Sequence, residues 1–219
     1  NRTQADSKSK VFWEKQLEGF TEPIDLPFNL QKTAITETRR QEFSIAITTG
    51  NQKTLISSGT TSVLKKICEK NSITMNSLLM GVWAVLLSHY TGKKDIVFGT
   101  TRSVRHWREN GSNDTGLYIN TLPIRITINP EENLLKFLSR VRNEWIKISD
   151  FEHSSLADIH ACSQVKGSCP LFDIFFAYDY HSIDAALVGH KENISCSNVS
   201  LLERTPASLF LPISGIDEL

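Results

Sequence analysis

The 219-residue sequence predicts an α/β protein in which helices cover a layered, mixed sheet. Segments with apolar residues at every third or fourth position alternate along the chain with short segments of strand character, and no segment repeats. Apolar residues make up 40% and charged residues 22% of the chain, as is typical of a folded protein. These observations predict one α/β unit with a sizeable core.

The first half of the chain predicts three helices and two strands. Apolar side chains recur at helical spacing in residues 7–17, 60–68 and 76–92, and each segment begins with Ser, Thr or Asn residues that can cap a helix. Alternating apolar residues predict a strand over 43–47, and a short apolar run predicts a buried strand over 96–98.

The second half predicts one helix and three strands joined by loops. The stretch 102–115 is mostly charged and polar, so it predicts a connecting loop. Asn129 as a cap, followed by Pro130 and two acidic residues, predicts a helix start, and the apolar face of that helix continues to Ile148. Strands are predicted at residues 122–128, 171–180 and 209–213, and a loop is predicted at 154–170.

The charge balance excludes several classes of partner. The chain has 24 basic and 24 acidic side chains, so it lacks the net field that would attract nucleic acid or an anionic membrane surface. Its longest apolar stretch, residues 78–87, is too short to span a bilayer, and no signal peptide opens the chain. We therefore expect a cytoplasmic protein that binds neither nucleic acid nor membrane.

No residue pattern predicts a metal site or a nucleophile. The four cysteines contain no C-x-x-C pair, and the six histidines show neither metal-ligand spacing nor the acid partner expected of a catalytic histidine. Ser103 has no neighbouring His and no glycine elbow, so it is not expected to be a nucleophile.

Two segments carry the functional signal. Residues 115–125 read T-G-L-Y-I-N-T-L-P-I-R and place a polar pair, Asn120 and Thr121, at the mouth of an apolar strand. Upstream, residues 95–105 read D-I-V-F-G-T-T-R-S-V-R. Taken in chain order, 95–105 and then 115–125, the segments resemble condensation domains of nonribosomal peptide synthetases. These domains carry D-I-V-x-G-T-x-x-S-G-R and then G-x-F-x-N-T-L-x-x-R.

The resemblance extends along nearly the whole chain. Residues 12–19 resemble the family's Y-W-x-x-x-L-x-G helix, and residues 25–27 resemble the L-P that follows it. Residues 79–90 are similar to its A-x-x-x-L-L-x-x-Y helix, and C-P-L-F-D at 169–173 is similar to its N-P-L-F-D strand entry. The fold implied is one lobe of a chloramphenicol-acetyltransferase-like pair.

The resemblance also implies a reaction in which this chain takes part without a catalytic residue of its own. In the family, two lobes form a V, phosphopantetheine arms enter a tunnel from opposite faces, and aminolysis of a thioester forms an amide bond. The catalytic H-H-x-x-x-D-G motif belongs to the first lobe, and this chain has no adjacent pair of His residues. Residues 1–219 are therefore expected to be a second-lobe fragment that lacks the first lobe and the final C-terminal elements.

The implied partners follow from that role. They are peptidyl carrier proteins, the missing first lobe and a neighbouring adenylation domain, and no cofactor is expected to bind directly apart from the phosphopantetheine arm of the carrier-bound substrates. Two alternatives stay open. One is a noncatalytic module that binds a carrier protein or a neighbouring domain, and the other is a related epimerising or ester-forming acyltransferase.

The resemblance assigns roles to individual residues. Asn120 is predicted to hydrogen-bond the substrate or the pantetheine amide, although its amide could instead hold neighbouring backbone or a buried network. Arg39 or Arg40 is predicted to form an ion pair between the lobes, with a solvent-facing pair as the alternative. The predicted tunnel lining is Gly116, Tyr118, Asn120 and Thr121, and the predicted floor loop contains Thr100, Ser103 and Arg105.

Two departures from the family pattern concern backbone geometry. Val104 stands where the family's S-G-R loop has Gly, and Val disfavours a positive φ. Residues 153–156 read H-S-S-L where the family usually has H-Q-x-P. Either the turn at Val104 is altered or the Gly is not required for it, and the second departure puts the role of the loop at 153–156 in question.

Overall fold

A computed structural model of the chain describes residues 2–26, 50–104, 116–167, 169–179 and 207–214, with the backbone alone for residues 2–6 and 179. The strand predicted at 43–47 lies outside the described residues. So do three of the predicted site residues, Arg39, Arg40 and Arg105.

The described chain contains five α-helices and four strands. The N-terminal half provides α1 (Arg2–Gln16), α2 (Ser58–Lys70), α3 (Met75–Thr91) and β1 (Asp95–Ser103). The remaining elements are β2 (Ile119–Thr127), α4 (Leu134–Ile148), a 3-10 turn (Ser149–Phe151), α5 (Leu156–Ala161), β3 (Ile174–Asp179) and β4 (Leu209–Ser214).

The four strands form one mixed sheet in the order β2-β1-β3-β4. β1 and β2 are antiparallel over nine residue pairs, whereas β1 pairs with β3, and β3 with β4, in parallel. Helices α3 and α4 pack against each other and contact the sheet. The predicted α/β class with a layered mixed sheet is confirmed.

One face of the sheet is buried beneath helices. Arg102 on this face reaches the backbone of Trp145 and the hydroxyl of Ser149, so the end of α4 lies over it. We call this buried face of the sheet the helix-covered face. The side chains along it are almost inaccessible to solvent and include Ile96, Phe98, Leu122, Ile124, Ile126, Ile174 and Phe176.

The helix starts differ from the predicted ones because several capping residues stand close together in the sequence. α4 begins at Leu134, where the side-chain oxygen of Asn133 accepts a hydrogen bond from Leu135 N at 2.9 Å. Asn129, the predicted cap, instead accepts from Glu131 N within the preceding turn. In α3 the cap is Thr74 rather than Asn76.

Two predicted loops contain regular structure. β1 continues to Ser103 because all nine of its residues pair with β2, so Thr100 and Ser103 lie in a strand and not in the predicted floor loop. The segment predicted as a loop at 154–170 contains α5, which Ser155 caps by accepting a hydrogen bond from Asp158 N. A loop is thus retained only on either side of α5.

Among the described helices, none is by itself long and apolar enough to cross a membrane. The pair α2 and α3, bent by 106°, meets that test only when taken together, and then by length and composition alone.

An ion pair fixes the start of α4 and makes a pH-dependent prediction. Arg140 donates to the carboxylate of Glu132, with 2.7 Å between Nη2 and Oε2. This hydrogen bond, supported by the charges of Arg140 and Lys136, lowers the pKa of Glu132 below its ordinary value.

We expect Arg140→Gln to raise the pKa of Glu132 towards that ordinary value, as measured by NMR titration of the carboxyl carbon. A lowered pKa in the folded state stabilises the fold above the unfolded pKa, and the stabilisation is lost as the pH falls through the folded value. Wild type and variant should therefore converge in stability in acid. Lys147→Gln, which removes a cation paired with Glu144 on the same helix, should leave the Glu132 titration unchanged. An unaltered Glu132 titration in Arg140→Gln would contradict the assignment.

Candidate functional site

The two motifs that carry the functional signal lie side by side at one end of the sheet. In the antiparallel register, Thr101 stands opposite Thr121, and Ser103 stands opposite Ile119. The backbone pairing continues one step further, because Val104 N donates to Tyr118 O at 2.8 Å. Predicted tunnel-lining and floor residues are thereby brought together.

Val104 does not need the conformational freedom of glycine in this structure. Among the described non-glycine residues only Ser72 has a positive φ. Val104 instead continues the pairing of β1 with the chain before β2, a role that any residue with a backbone N–H can fill. A Gly at this position is not required here.

The register assigns the predicted site residues to opposite faces of the sheet. Asn120 stands opposite Arg102, and both belong to the helix-covered face together with the buried Thr100. Because side chains alternate along a strand, Thr121 and Ser103 point to the other face. Neighbours in the sequence motif therefore cannot share one role.

Hydrogen bonds within the protein occupy the side-chain amide of Asn120. Its Nδ2 donates to the backbone oxygens of Glu152 and Ser154, both at 2.8 Å, and its Oδ1 accepts from Thr121 N at 3.0 Å. Both donors and the acceptor are thus in use. The geometry favours the alternative in which Asn120 holds neighbouring backbone.

A buried ion pair lies beside Asn120. The side chain of Glu152 is 1% exposed, and its Oε2 lies 2.6 Å from Nε of Arg102. The other guanidinium nitrogens of Arg102 donate to Trp145 O at 2.9 Å and to Ser149 Oγ at 3.0 Å, and the guanidinium lies 3.9 Å from the centre of the Trp145 ring. The planar, forked guanidinium satisfies all of these contacts at once.

A second buried group connects this region to α1. Ser154 Oγ lies 2.6 Å from Ser9 Oγ and accepts from Trp13 Nε1 at 3.0 Å. The side chain of Trp13 is 1% exposed, so its N–H requires a partner inside the protein. We define the polar network as Ser9, Trp13, Arg102, Asn120, Glu152 and Ser154.

Sequence reasoning misses most of this network. No predicted site includes Glu152 or Ser9, and the one signal near them is the departure of Ser154 from the family's H-Q-x-P. His153, which lies between Glu152 and Ser154 in the sequence, is exposed. In the described parts of the chain, no three His, Cys, Asp or Glu side chains lie close enough to hold a metal ion.

The opposite face of the sheet is half filled and half open. Near its middle the ring of Phe172 covers Gly99 and packs against Phe175. Beyond Gly99 the side chains are small, hydroxylic or apolar, and Ile119 is 62% exposed. We call this half the open face, and its described members are Thr101, Ser103, Ile119, Thr121, Ala177, Pro212 and Ser214.

The described side chains of the open face are uncharged. The side chains described there can donate and accept hydrogen bonds or make apolar contacts, but none of them titrates near neutral pH. Gly116 and Leu117 lie exposed just before it, and Tyr118 is half-buried. The described part of this surface is suited to holding a neutral ligand.

The four-stranded mixed sheet covered by helices has the chloramphenicol-acetyltransferase-like fold. The chain belongs to the condensation domain family, since the family model described as "Condensation domain" matches residues 1–203. The resemblance seen in the sequence is confirmed.

Two similar proteins are named as synthases. The chain is 28% identical over 195 residues to a linear gramicidin synthase of Brevibacillus parabrevis, covering 89% of this chain and 2% of the relative. It is 30% identical over 193 residues to chondramide synthase cmdD of Chondromyces crocatus, covering 85% and 5%. The chain thus spans a small part of the relatives it matches.

Solved structures show the same fold at low sequence identity. The X-domain from teicoplanin biosynthesis superposes with a TM-score of 0.68 at 20% identity, covering 83% of this chain and 39% of that one. The first condensation domain of the CDA synthetase gives a TM-score of 0.63 at 15% identity, covering 84% and 37%. An X-domain with a TM-score of 0.68 and 19% identity was solved in complex with OxyB, covering 81% of this chain and 38% of that one.

Proposed function

We propose that this chain is the second lobe of a condensation domain in a nonribosomal peptide synthetase. The parent domain joins a carrier-tethered aminoacyl or peptidyl thioester to an acceptor amine and forms an amide bond. The observation that carries the proposal is the family match over residues 1–203, which includes both motifs at the sheet end. The sequence has no adjacent pair of His residues and so lacks the family's H-H-x-x-x-D-G motif, and we propose that the lobe alone is inactive.

The contribution of this lobe is orientation of the substrates. Two reactants held on tethered arms gain effective concentration if their reacting atoms are held close and aligned. The open face supports this role because its neutral hydroxyl and apolar groups suit an amide-containing arm. In this proposal Thr121 and Ser103 line the tunnel, and Gly116 and Tyr118 border it. Asn120 and Thr100 support it from the helix-covered face.

The proposed partners are the other domains of a nonribosomal peptide synthetase. They are peptidyl carrier proteins with phosphopantetheine arms, the first lobe of the domain and a neighbouring adenylation domain, all in the cytoplasm. The floor role of Arg105 and an ion pair between the lobes through Arg39 or Arg40 stay predictions.

A noncatalytic docking module is the second candidate. It is favoured by the similarity to the X-domain that was solved with OxyB and by one apolar face of α3. On that face Val82, Val85 and Leu86 are each more than 40% exposed, at the spacing expected of one side of a helix. Exposed apolar patches of this kind mark surfaces that other domains cover. A related epimerising or ester-forming acyltransferase is a further variant of the first proposal.

The test supplies the missing lobe. A first lobe that carries H-H-x-x-x-D-G is fused to this chain or added in trans, and loaded donor and acceptor carrier proteins are provided. We expect dipeptidyl product by mass spectrometry only when both lobes are present, and none when the second His of the motif is replaced by Ala. Association of the lobes without product would reject the amide-forming role and favour the docking module.

A further inference from the structure

We propose that Glu152 and Ser154 are positioning residues that fix the backbone of Thr121 through the amide of Asn120. The inference rests on the proposed function only in taking Thr121 to line the substrate path. All of the contacts involved lie within this chain.

Glu152 is anchored through its side chain. Its carboxylate lies 2.6 Å from Arg102, which is held in turn by Trp145 O and Ser149 Oγ. A residue tied at its side chain in a buried site has little freedom in its backbone. The backbone oxygen of Glu152 is therefore a fixed acceptor for Asn120.

Ser154 is anchored to a different element. Its hydroxyl binds Ser9 and Trp13 of α1, while its backbone oxygen accepts from Asn120 at 2.8 Å. One residue thus contacts α1 through its side chain and β2 through its main chain. This link fixes the position of the start of β2, at Asn120, relative to α1.

The fixed amide of Asn120 in turn holds the backbone N–H of Thr121 in place. With two donors held by two anchored carbonyls, the amide plane of Asn120 has a single orientation, and its oxygen faces Thr121 N at 3.0 Å. Thr121 lies on the open face, where it stands opposite a second hydroxyl residue, Thr101. A displacement of the anchors would therefore change where the Thr121 side chain stands on the open face.

The test uses three variants that alter different links. Asn120→Asp removes both donors but keeps the shape, Ser154→Ala releases the anchor on α1, and Glu152→Gln removes the charge that faces Arg102. The matched controls are Asn143→Asp and Glu131→Gln, which make the same chemical changes at exposed positions. Amide hydrogen exchange at Thr121 is measured by NMR in the full 219-residue chain, and steady-state kinetics are measured in the two-lobe domain.

We expect all three variants to accelerate exchange of the Thr121 amide by on the order of tenfold, with neither control doing so. In the two-lobe domain all three should lower kcat with the KM of the acceptor carrier unchanged, because misplaced groups reduce alignment and not docking. If Glu152→Gln does not fold, Ser154→Ala and Asn120→Asp carry the test.

The opposite pattern would overturn the inference. If Asn120 contacts substrate directly, Asn120→Asp should raise KM while Ser154→Ala behaves as wild type and Thr121 exchange stays unchanged. A wild-type two-lobe domain that makes no product would reject the proposed function instead, and the exchange measurement would still decide the positioning role.

Discussion

Replacing Arg102 by Met should lower the free energy of unfolding by about 3–5 kcal/mol, because it leaves a buried carboxylate without its cation. The side chain of Glu152 is 1% exposed and that of Arg102 is 12% exposed, so water cannot take over the lost interaction. Met keeps much of the apolar stem of Arg102 but removes the guanidinium together with its contacts to Trp145 and Ser149. Urea unfolding followed by circular dichroism measures the loss.

Two further variants make this prediction specific. Lys136→Met removes an exposed cation from α4 and should change stability by no more than about 0.5 kcal/mol. The double variant Arg102→Met, Glu152→Met removes both charges and should regain much of the stability that the single variant loses, because a buried pair can be replaced by apolar groups at little cost. An Arg102→Met chain as stable as wild type would mean that the pair contributes nothing.

Much of the fold is predictable because apolar spacing reports which residues face a core. Of the residues predicted on the buried face of the α4 helix, Phe137, Leu138, Val141 and Ile148 are buried, whereas Leu134 and Leu135 are exposed. The predicted start of that helix is wrong by several residues. Asn129 and Asn133 can both cap a helix, and a choice between them depends on where α4 meets the sheet.

The candidate site is predictable as a place and not as a set of contacts. The motifs locate the end of the sheet, but the strand register decides that Asn120 stands opposite Arg102 and Thr121 opposite Thr101. The partners of Asn120 lie 32 and 34 residues away in sequence, and Ser9 meets Ser154 across 145 residues. Contacts at such separations arise from tertiary packing, which no local pattern specifies.

Gly99→Ala should destabilise the chain by about 1–3 kcal/mol, since the added methyl group enters a packed contact. A Cβ at this position would lie 2.3 Å from Cε2 and 2.7 Å from Cδ2 of Phe172. That ring is 5% exposed and packs edge-on against Phe175, with 5.2 Å between ring centres, so it has little room to withdraw. β1 pairs with strands on both sides, so the backbone cannot move away either.

A second glycine provides the control for this contact. At Gly59 in α2 the nearest atom to an added Cβ is 3.9 Å away, so Gly59→Ala should be neutral or slightly stabilising through helix propensity. In a chain that already carries Phe172→Leu, Gly99→Ala should cost less stability than it does in the wild-type chain. A double-mutant cycle measures this difference. Strict additivity would contradict the contact. Gly99 lies in the D-I-V-F-G segment and Phe172 in C-P-L-F-D, so the two sequence motifs provide the two sides of one packing contact next to the open face.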